Sequence, residues 1–449
     1  MLYIYSSSEN TQRLDYVARH LFNAILGVDF TIVRDKETFL QQREPCINYS
    51  NENLNHGLCI NPHGLLNEKG VRQIQDIEVS QWNGYCCFFR QSQGDIPFDL
   101  FAASFYLLTF YEEYFPKRLD KHERFDPEES LAYRNGFLEI PVIDRWAYLL
   151  KDELMKKYPA MAFNLRKFRF VSTYDIDYPY WYLKKGWIKM IVELARDLWA
   201  VRHKDYLPDR WYIFIGEFGD PYLDATRLIE RIHKENDKPY FLFVLMKKWG
   251  KYGTKTIYPL TSYYRLLKSF NMATIGLHPS YNTCYKPLLI MKEKKRLEKV
   301  LEKKEITASR QHFLRMQVPE TFRNLEKAGI RDDFTTAFAQ APGFRTGTAV
   351  PHYFYDVEKD HVGDLLLHPT VVMDTALITH LKLTPDEAFE KIKRLVNECK
   401  QSGGDFLSLW HNSNLSLNVD DNPWLEMYLN AFHYANSIEN DTFVPKYFE

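Results

Sequence analysis

The sequence predicts an α/β protein of two units, residues 1–165 and 166–449, the second built on a parallel sheet that closes into a βα barrel. Three observations lead there. A chain of 449 residues exceeds one ordinary core, so two domains are the natural expectation. From residue 168 onward, short apolar runs rich in β-branched and aromatic residues alternate with amphipathic stretches, and about seven such alternations suggest closure. The first of those runs, Phe168-Arg-Phe-Val-Ser-Thr-Tyr-Asp-Ile-Asp-Tyr178, ends in two carboxylates.

In the first unit, residues 2–5 and 30–33 read as strands, and 11–24 carries Leu14, Val17, Ala18, Leu21 and Phe22 at helical spacing. Short strand-like pieces at 57–60 and 85–89 follow between polar turns. Residues 97–114 predict a buried helix with Pro97 in its first turn, and 143–157 a second. Between them, 117–138 is polar and irregular. Phe110–Tyr114 and the Arg124-Phe-Asp-Pro127 segment are read as buttressing the barrel. In the second unit the rhythm predicts strands at 168–174, 240–245, 272–277, 338–344, 365–372 and 405–410. Helices are expected near 187–199, 223–234, 260–270, 288–305, 320–328 and 385–399.

Composition excludes several classes. Net charge is −1, with no long basic block to attract nucleic acid or an anionic membrane. No apolar stretch approaches the roughly 20 residues of a membrane span, and the N-terminus lacks a basic region followed by an apolar one. The expectation is a cytoplasmic protein with no membrane insertion. Its six cysteines match no zinc or disulfide spacing and are expected as reduced thiols. Nothing in the sequence signals an oligomeric state.

Functional groups of a parallel βα barrel gather at the C-terminal ends of its strands. Asp175 and Asp177 end the first strand on one face, with Ile176 turned away. His278 ends the strand at 272–277, and Asp374 follows the run at 365–372. His411 ends the strand at 405–410, and Arg345 lies in Pro-Gly-Phe-Arg-Thr-Gly-Thr. Such a set suits hydrolysis of an acyl group. A carboxylate can hold a cation, another can take a proton from water, and a histidine can protonate the leaving group. Tyr178 and Trp181, in an aromatic cluster with Tyr180 and Tyr182, are candidates for stacking on a sugar, and Tyr281 after His278 is a further substrate-binding candidate.

The order Thr173-Tyr-Asp-Ile-Asp177, His278-Pro-Ser-Tyr-Asn282, Gly343-Phe-Arg345 and Leu409-Trp-His411 resembles the polysaccharide deacetylases of the NodB-homology type, carbohydrate esterase family 4. The resemblance spans about residues 167–415. It implies a distorted (β/α)7 barrel and hydrolysis of acetyl groups from N- or O-acetylated carbohydrate. It also implies a divalent metal, usually zinc. By resemblance, Asp177, His278 and Asn282 occupy the metal-ligand positions and Asp175 that of the general base. Arg345 would orient and charge-balance that base, and His411 would be the general acid with Asp374 tuning it. The first unit is similar to a companion domain found in front of this deacetylase in a bacterial, Bacteroidetes-like subgroup.

The sequence departs from the family pattern at Asn282, where a second metal-binding histidine is expected. A neutral amide is a poorer zinc ligand than imidazole. Either Asn282 ligates weakly, or His312, His352 or His368 completes the set. Arg345 is followed by Thr-Gly-Thr in place of Pro-Tyr. Two rival readings remain at this level. One is a divalent-metal glycosyltransferase using Asp175-x-Asp177, against which the histidines at 278 and 411 weigh. The other is a carbohydrate-binding relative whose metal site has decayed at Asn282.

Overall fold

The computed structural model describes residues 1–181, 183, 213, 219–246, 252, 259–302, 305–416 and 422–440. The helix expected near 187–199 lies outside the described residues, as does Tyr182.

Strands β1 (Leu2–Ser6), β2 (Phe30–Val33), β3 (Cys46–Tyr49) and β4 (Leu58–Cys59) form an all-parallel sheet in the order β2-β1-β3-β4. Parallel neighbours require crossovers. The first is the helix Gln12–Ala18, continued by a π-helical stretch, Arg19–Leu26. A hairpin of β5 (Val79–Trp82) and β6 (Tyr85–Phe88) turns on Asn83-Gly84, both with positive φ as its tight turn requires. The helix Leu100–Leu108 begins at Asp99, whose carboxylate accepts from Ala102 N at 2.9 Å. Every one of its residues is buried, as suits a helix apolar all round. It ends sooner than its sequence suggests, because Phe110 turns left-handed (φ 53°) and Tyr111–Tyr114 continue as a 3-10 turn.

The second sheet has nine strands. They are β7 (Arg169–Ile176), β8 (Tyr240–Leu245), β9 (Ala273–His278), β10 (Ala308–Ser309), β11 (Asp332–Asp333), β12 (His352–Asp356), β13 (His361–Leu367), β14 (Val372–Met373) and β15 (Asp405–His411). Their order is β12-β13-β11-β10-β9-β8-β7-β15-β14, parallel except for the β12–β13 pair.

The closed barrel expected from the sequence is not formed by these ladders, and β12 and β14 are edges. Strands β10, β11 and β14 have two residues each, too few to carry regular pairing around a ring. The segment 361–373 nevertheless bonds both flanks. Leu366 N and His368 N donate to Arg331 O and Asp333 O, at 2.7 and 2.8 Å, while Val371 N donates to Leu407 O at 2.9 Å. The strand expected at 338–344 is absent; residues 335–350 are turns and bends, almost all buried.

Alternation along the strands sorts two faces. Phe170, Tyr174 and Ile176 of β7 join Leu242, Val244, Leu277 and Trp410 in the core beneath the outer helices. On the inner face, Phe243, Ala308, Phe334 and Leu407 pack together. Gly276 fits there because a Cβ would lie 2.5 Å from the Phe243 ring. Asp175 shares this inner face and Asp177 continues it.

The two large cores interlock. Phe338, Ala341, Val350, Tyr355 and Val357 pack with the first unit's Leu2, Phe101 and Trp146, and Phe110 packs with the second core. Among the described residues, no helix is long and apolar enough to cross a membrane.

A buried histidine is expected to make folding pH-sensitive. His233 is fully buried, with Nδ1 2.7 Å from Lys238 O and Nε2 2.8 Å from the Tyr174 hydroxyl. Burial pushes it down to about 4. Because the folded value lies below the unfolded one, its stabilisation is present above about pH 6.5 and is lost as pH falls towards 4. Of the stability that denaturant titration shows lost across that window, His233 should account for up to about 3 kcal/mol, beside the buried His352, which burial likewise pushes down to about 4. His233→Gln should make the slope shallower; an unchanged slope would show that the titration lies elsewhere.

Candidate active site

Parallel pairing in register brings the site together. Asp175 lies opposite His411 of β15 on one side and Phe243 of β8 on the other, and His278 closes β9 beside Leu245. All these strand ends face the same edge of the sheet.

Asp177, His278 and His312 offer ligand atoms all within 4.8 Å of one another. Nε2 of each imidazole stands 3.4 Å from Asp177 Oδ1. Asp177 Oδ1 and His278 Nε2 are buried and lack a hydrogen-bond partner among the described residues. Two ligand atoms bound tetrahedrally at zinc distances stand about 3.3 Å apart, so this spacing fits a divalent cation. His278 is prepared for it. Its Nδ1 lies 2.6 Å from the carbonyl of Arg310, an acceptor that places the proton on Nδ1 and leaves the Nε2 lone pair facing inward.

The charges agree with that use. Burial opposes ionisation of Asp177, yet His312 and His278, with His411 farther off, hold its carboxyl well below the usual range. Burial pushes His312 down, only partly countered by Asp177. At His278 burial is outweighed by Asp175 and Asp177, which raise it.

Asp175 lies beside this triad, its Oδ2 3.6 Å from His278 Nε2. Its Oδ1 accepts from Arg310 Nη1 at 3.0 Å. Arg310 is fully buried and fixed on every side. Nε donates to Phe334 O at 3.1 Å, Nη2 donates to Thr173 Oγ1 at 2.6 Å, and the guanidinium carbon sits 4.6 Å from the Phe243 ring centre. The expectation that Arg345 partners Asp175 is therefore corrected. Arg345 makes a bidentate pair with Glu113 of the first unit, at 2.8 and 2.6 Å, and donates to Ala337 O at 2.7 Å. It sits in an irregular segment rather than at a strand end, so its side chain is directed to the seam between the units.

A second pair stands across β7. His411 Nδ1 is 2.8 Å from Asp374 Oδ1, and His411 N donates to Asp374 Oδ2 at 2.7 Å. Thr375 N and Asn414 Nδ2 also donate to this buried carboxylate. Burial works against charge on His411, but Asp374, with Asp177 and Asp175 beyond, raises it to about 10.

The remaining candidates are placed as follows. Asn282 lies half-buried in the 3-10 turn Tyr281–Tyr285, and His312 supplies an imidazole from another segment. His352 instead meets His20, ring centres 5.8 Å apart, and His368 stacks on Phe334 at 4.2 Å and bonds Asp332. Tyr178 is 38% exposed. Trp181 packs against Tyr222 at 5.0 Å. Tyr281 is buried under the Arg315 guanidinium, 4.2 Å from its ring centre. Sequence reasoning missed Arg310 as the partner of Asp175, since β10 is too short to show as a strand.

Residues 2–159 match a family of unknown function, DUF7033. No curated protein matches the chain. Among solved structures, the chain is similar to a candidate polysaccharide deacetylase from Mycobacterium smegmatis, with 14% identity and a TM-score of 0.38, over 61% of this chain and 85% of that one. It is also similar to one from Bordetella bronchiseptica described as involved in O-antigen biosynthesis, with 15% identity and a TM-score of 0.29, over 60% and 80%. A third is the 4-alpha-glucanotransferase of Thermococcus litoralis, at 11% identity and a TM-score of 0.33, over 62% of this chain and 38% of that one.

Proposed function

We propose that residues 166–449 form a hydrolase that removes acetyl groups from N- or O-acetylated carbohydrate, with 1–165 as its accessory unit. The observation that carries this reading is the meeting of two buried atoms without hydrogen-bond partners among the described residues, Asp177 Oδ1 and His278 Nε2, with His312, beside a separate carboxylate and a His–Asp pair. Two imidazoles and one carboxylate are a zinc-type donor set that leaves a position open for substrate.

When bound, a divalent cation supplies an acidified water and a polarised acyl carbonyl. The chain's residues do the rest. Asp175, fixed by Arg310, accepts the proton of the attacking water through Oδ2, the oxygen that Arg310 does not engage. His411 donates a proton from Nε2 to the departing amine or alcohol, since its Nδ1 is committed to Asp374. Tyr178 is the exposed aromatic nearest in sequence to the acids, and its ring would lie along the sugar.

The test is acetate release from N-acetylhexosamine oligomers by chelator-treated protein with and without added zinc. Release should require zinc and fail in Asp177→Asn. Full activity after chelation would exclude the metal-dependent reading, and no release from any acetylated sugar would exclude the deacetylase reading.

A further inference from the structure

We infer that Arg124, in the first unit, is a positioning residue for the metal ligand His312. The inference rests on the metal reading above and gives the first unit a part in the site.

His312 is followed by two residues in the left-handed region, Phe313 (φ 64°) and Leu314 (φ 50°). Neither is glycine or asparagine, and L-residues with large side chains are unfavourable there, above all in succession. Such a backbone persists only where its surroundings over-determine it, and it is found here one residue from a candidate ligand.

Much of what fixes it comes from the first unit. Arg124 Nη1 donates to the Phe313 carbonyl at 2.5 Å. The His122 ring lies against Phe313, centres 4.9 Å apart, and the His122 carbonyl accepts from Arg315 Nε at 2.8 Å. Arg315 Nη1 then donates to Tyr281 O at 2.9 Å, tying this segment to the turn after His278. Arg124 itself is held rigidly. It is buried, its Nε and Nη2 meet Asp120 Oδ2 at 2.8 and 2.6 Å, and its backbone N donates to Asp120 Oδ1 at 3.0 Å. Gln340 Nε2 of the second unit donates to Asp120 Oδ2 at 2.8 Å. Arg124 thus reaches the site through the Phe313 carbonyl and touches no ligand atom itself. Removing its bond frees the Phe313 peptide to leave the left-handed region, which swings the adjacent imidazole away from Asp177 and His278. Loss of such outer support costs a metal site about 10- to 100-fold in affinity.

The experiment is zinc affinity of the full chain, by competition with a chromogenic chelator, beside the thermal midpoint of the metal-free protein. Arg124→Gln should lower the metal-free midpoint, since it breaks a buried pair with Asp120, and in protein still folded at the assay temperature it should weaken zinc by at least about tenfold, with Arg124→Lys recovering part of the loss. In a His312→Ala background, Arg124→Gln should add nothing, because its effect passes through that imidazole. Unchanged affinity in Arg124→Gln, or a full additive loss in the His312→Ala background, overturns the inference while leaving the metal site standing. Should Arg124→Gln fail to fold, Asp120→Asn decides in its place, a weaker zinc affinity supporting the inference and an unchanged one overturning it. Wild-type protein that binds no zinc overturns the metal reading itself, and this inference with it.

Discussion

Asp175→Asn is expected to lower acetate release by about a thousandfold, within the range that loss of a positioned base produces. The substitution keeps the shape of the side chain and an oxygen for Arg310, but removes the carboxylate proposed to take the water's proton. Zinc affinity should fall far less than in Asp177→Asn, because Oδ1 of Asp177, and not Asp175, stands at tetrahedral ligand spacing from both imidazoles. The variant leaves Arg310 without its counter-charge in a fully buried position. Breaking a buried pair from one side costs about 3–5 kcal/mol. Here the Phe243 and Phe334 rings, 4.6 and 5.9 Å from the guanidinium carbon, and the bonds to Thr173 and Phe334 O soften that cost. The thermal midpoint must therefore be read with the rate. A folded, zinc-loaded Asp175→Asn protein that keeps more than a tenth of wild-type turnover would remove Asp175 from the role of base.

The parts of the site visible in the sequence are those at the ends of real strands. β7, β9 and β15 are six to eight residues long, so their apolar alternation shows where each stops, and Asp175, Asp177, His278 and His411 stand at those stops. Asp374 follows a two-residue strand but sits after an apolar run that announces it. Arg310 and His312 follow β10, which is also two residues long, and have no such run before them. His312 is visible only as a histidine available to replace the missing imidazole at 282. Arg345 was misplaced because an apolar, glycine-rich stretch looks like a strand, although its buried backbone runs irregularly, with Gly343 N bonded to Val371 O.

Sheet closure misleads for a related reason. Strand–helix rhythm predicts the parallel direction of most strands, but neither their number nor their length: six are expected and nine form, with none at 338–344. A ring of ladders needs every strand long enough to pair twice. Residues 361–373, which read as one strand, are divided into β13, paired with β11, and β14, paired with β15, so the ladder is interrupted between them. The seam between units is similarly hidden. Glu113–Arg345 and Arg124–Phe313 O link residues 232 and 189 positions apart, and nothing local to either partner signals the other.

His411→Ala should reduce acetate release from an N-acetyl sugar by about 10²–10⁴-fold, the usual worth of a general acid for a poor leaving group. The size of the loss should depend on what leaves. An amine must be protonated as the C–N bond breaks, whereas the phenolate of an activated acetate ester departs without help. The variant should therefore lose far less on an aryl acetate than on the amide. Asp374→Asn probes the same group through its charge. Asp374 is the foremost of the carboxylates that raise His411 against burial, so removing its charge lowers the pKa of the imidazole. A general acid acts in its protonated form, and its deprotonation sets the alkaline limb of the rate profile. That limb should move to lower pH in Asp374→Asn, with the acidic limb left in place. A bound cation near Asp177 lowers the starting value in both proteins and leaves the direction of the difference unchanged. An equal loss on amide and aryl ester in His411→Ala, or an alkaline limb that stays put in Asp374→Asn, would show that this pair holds structure and moves no proton.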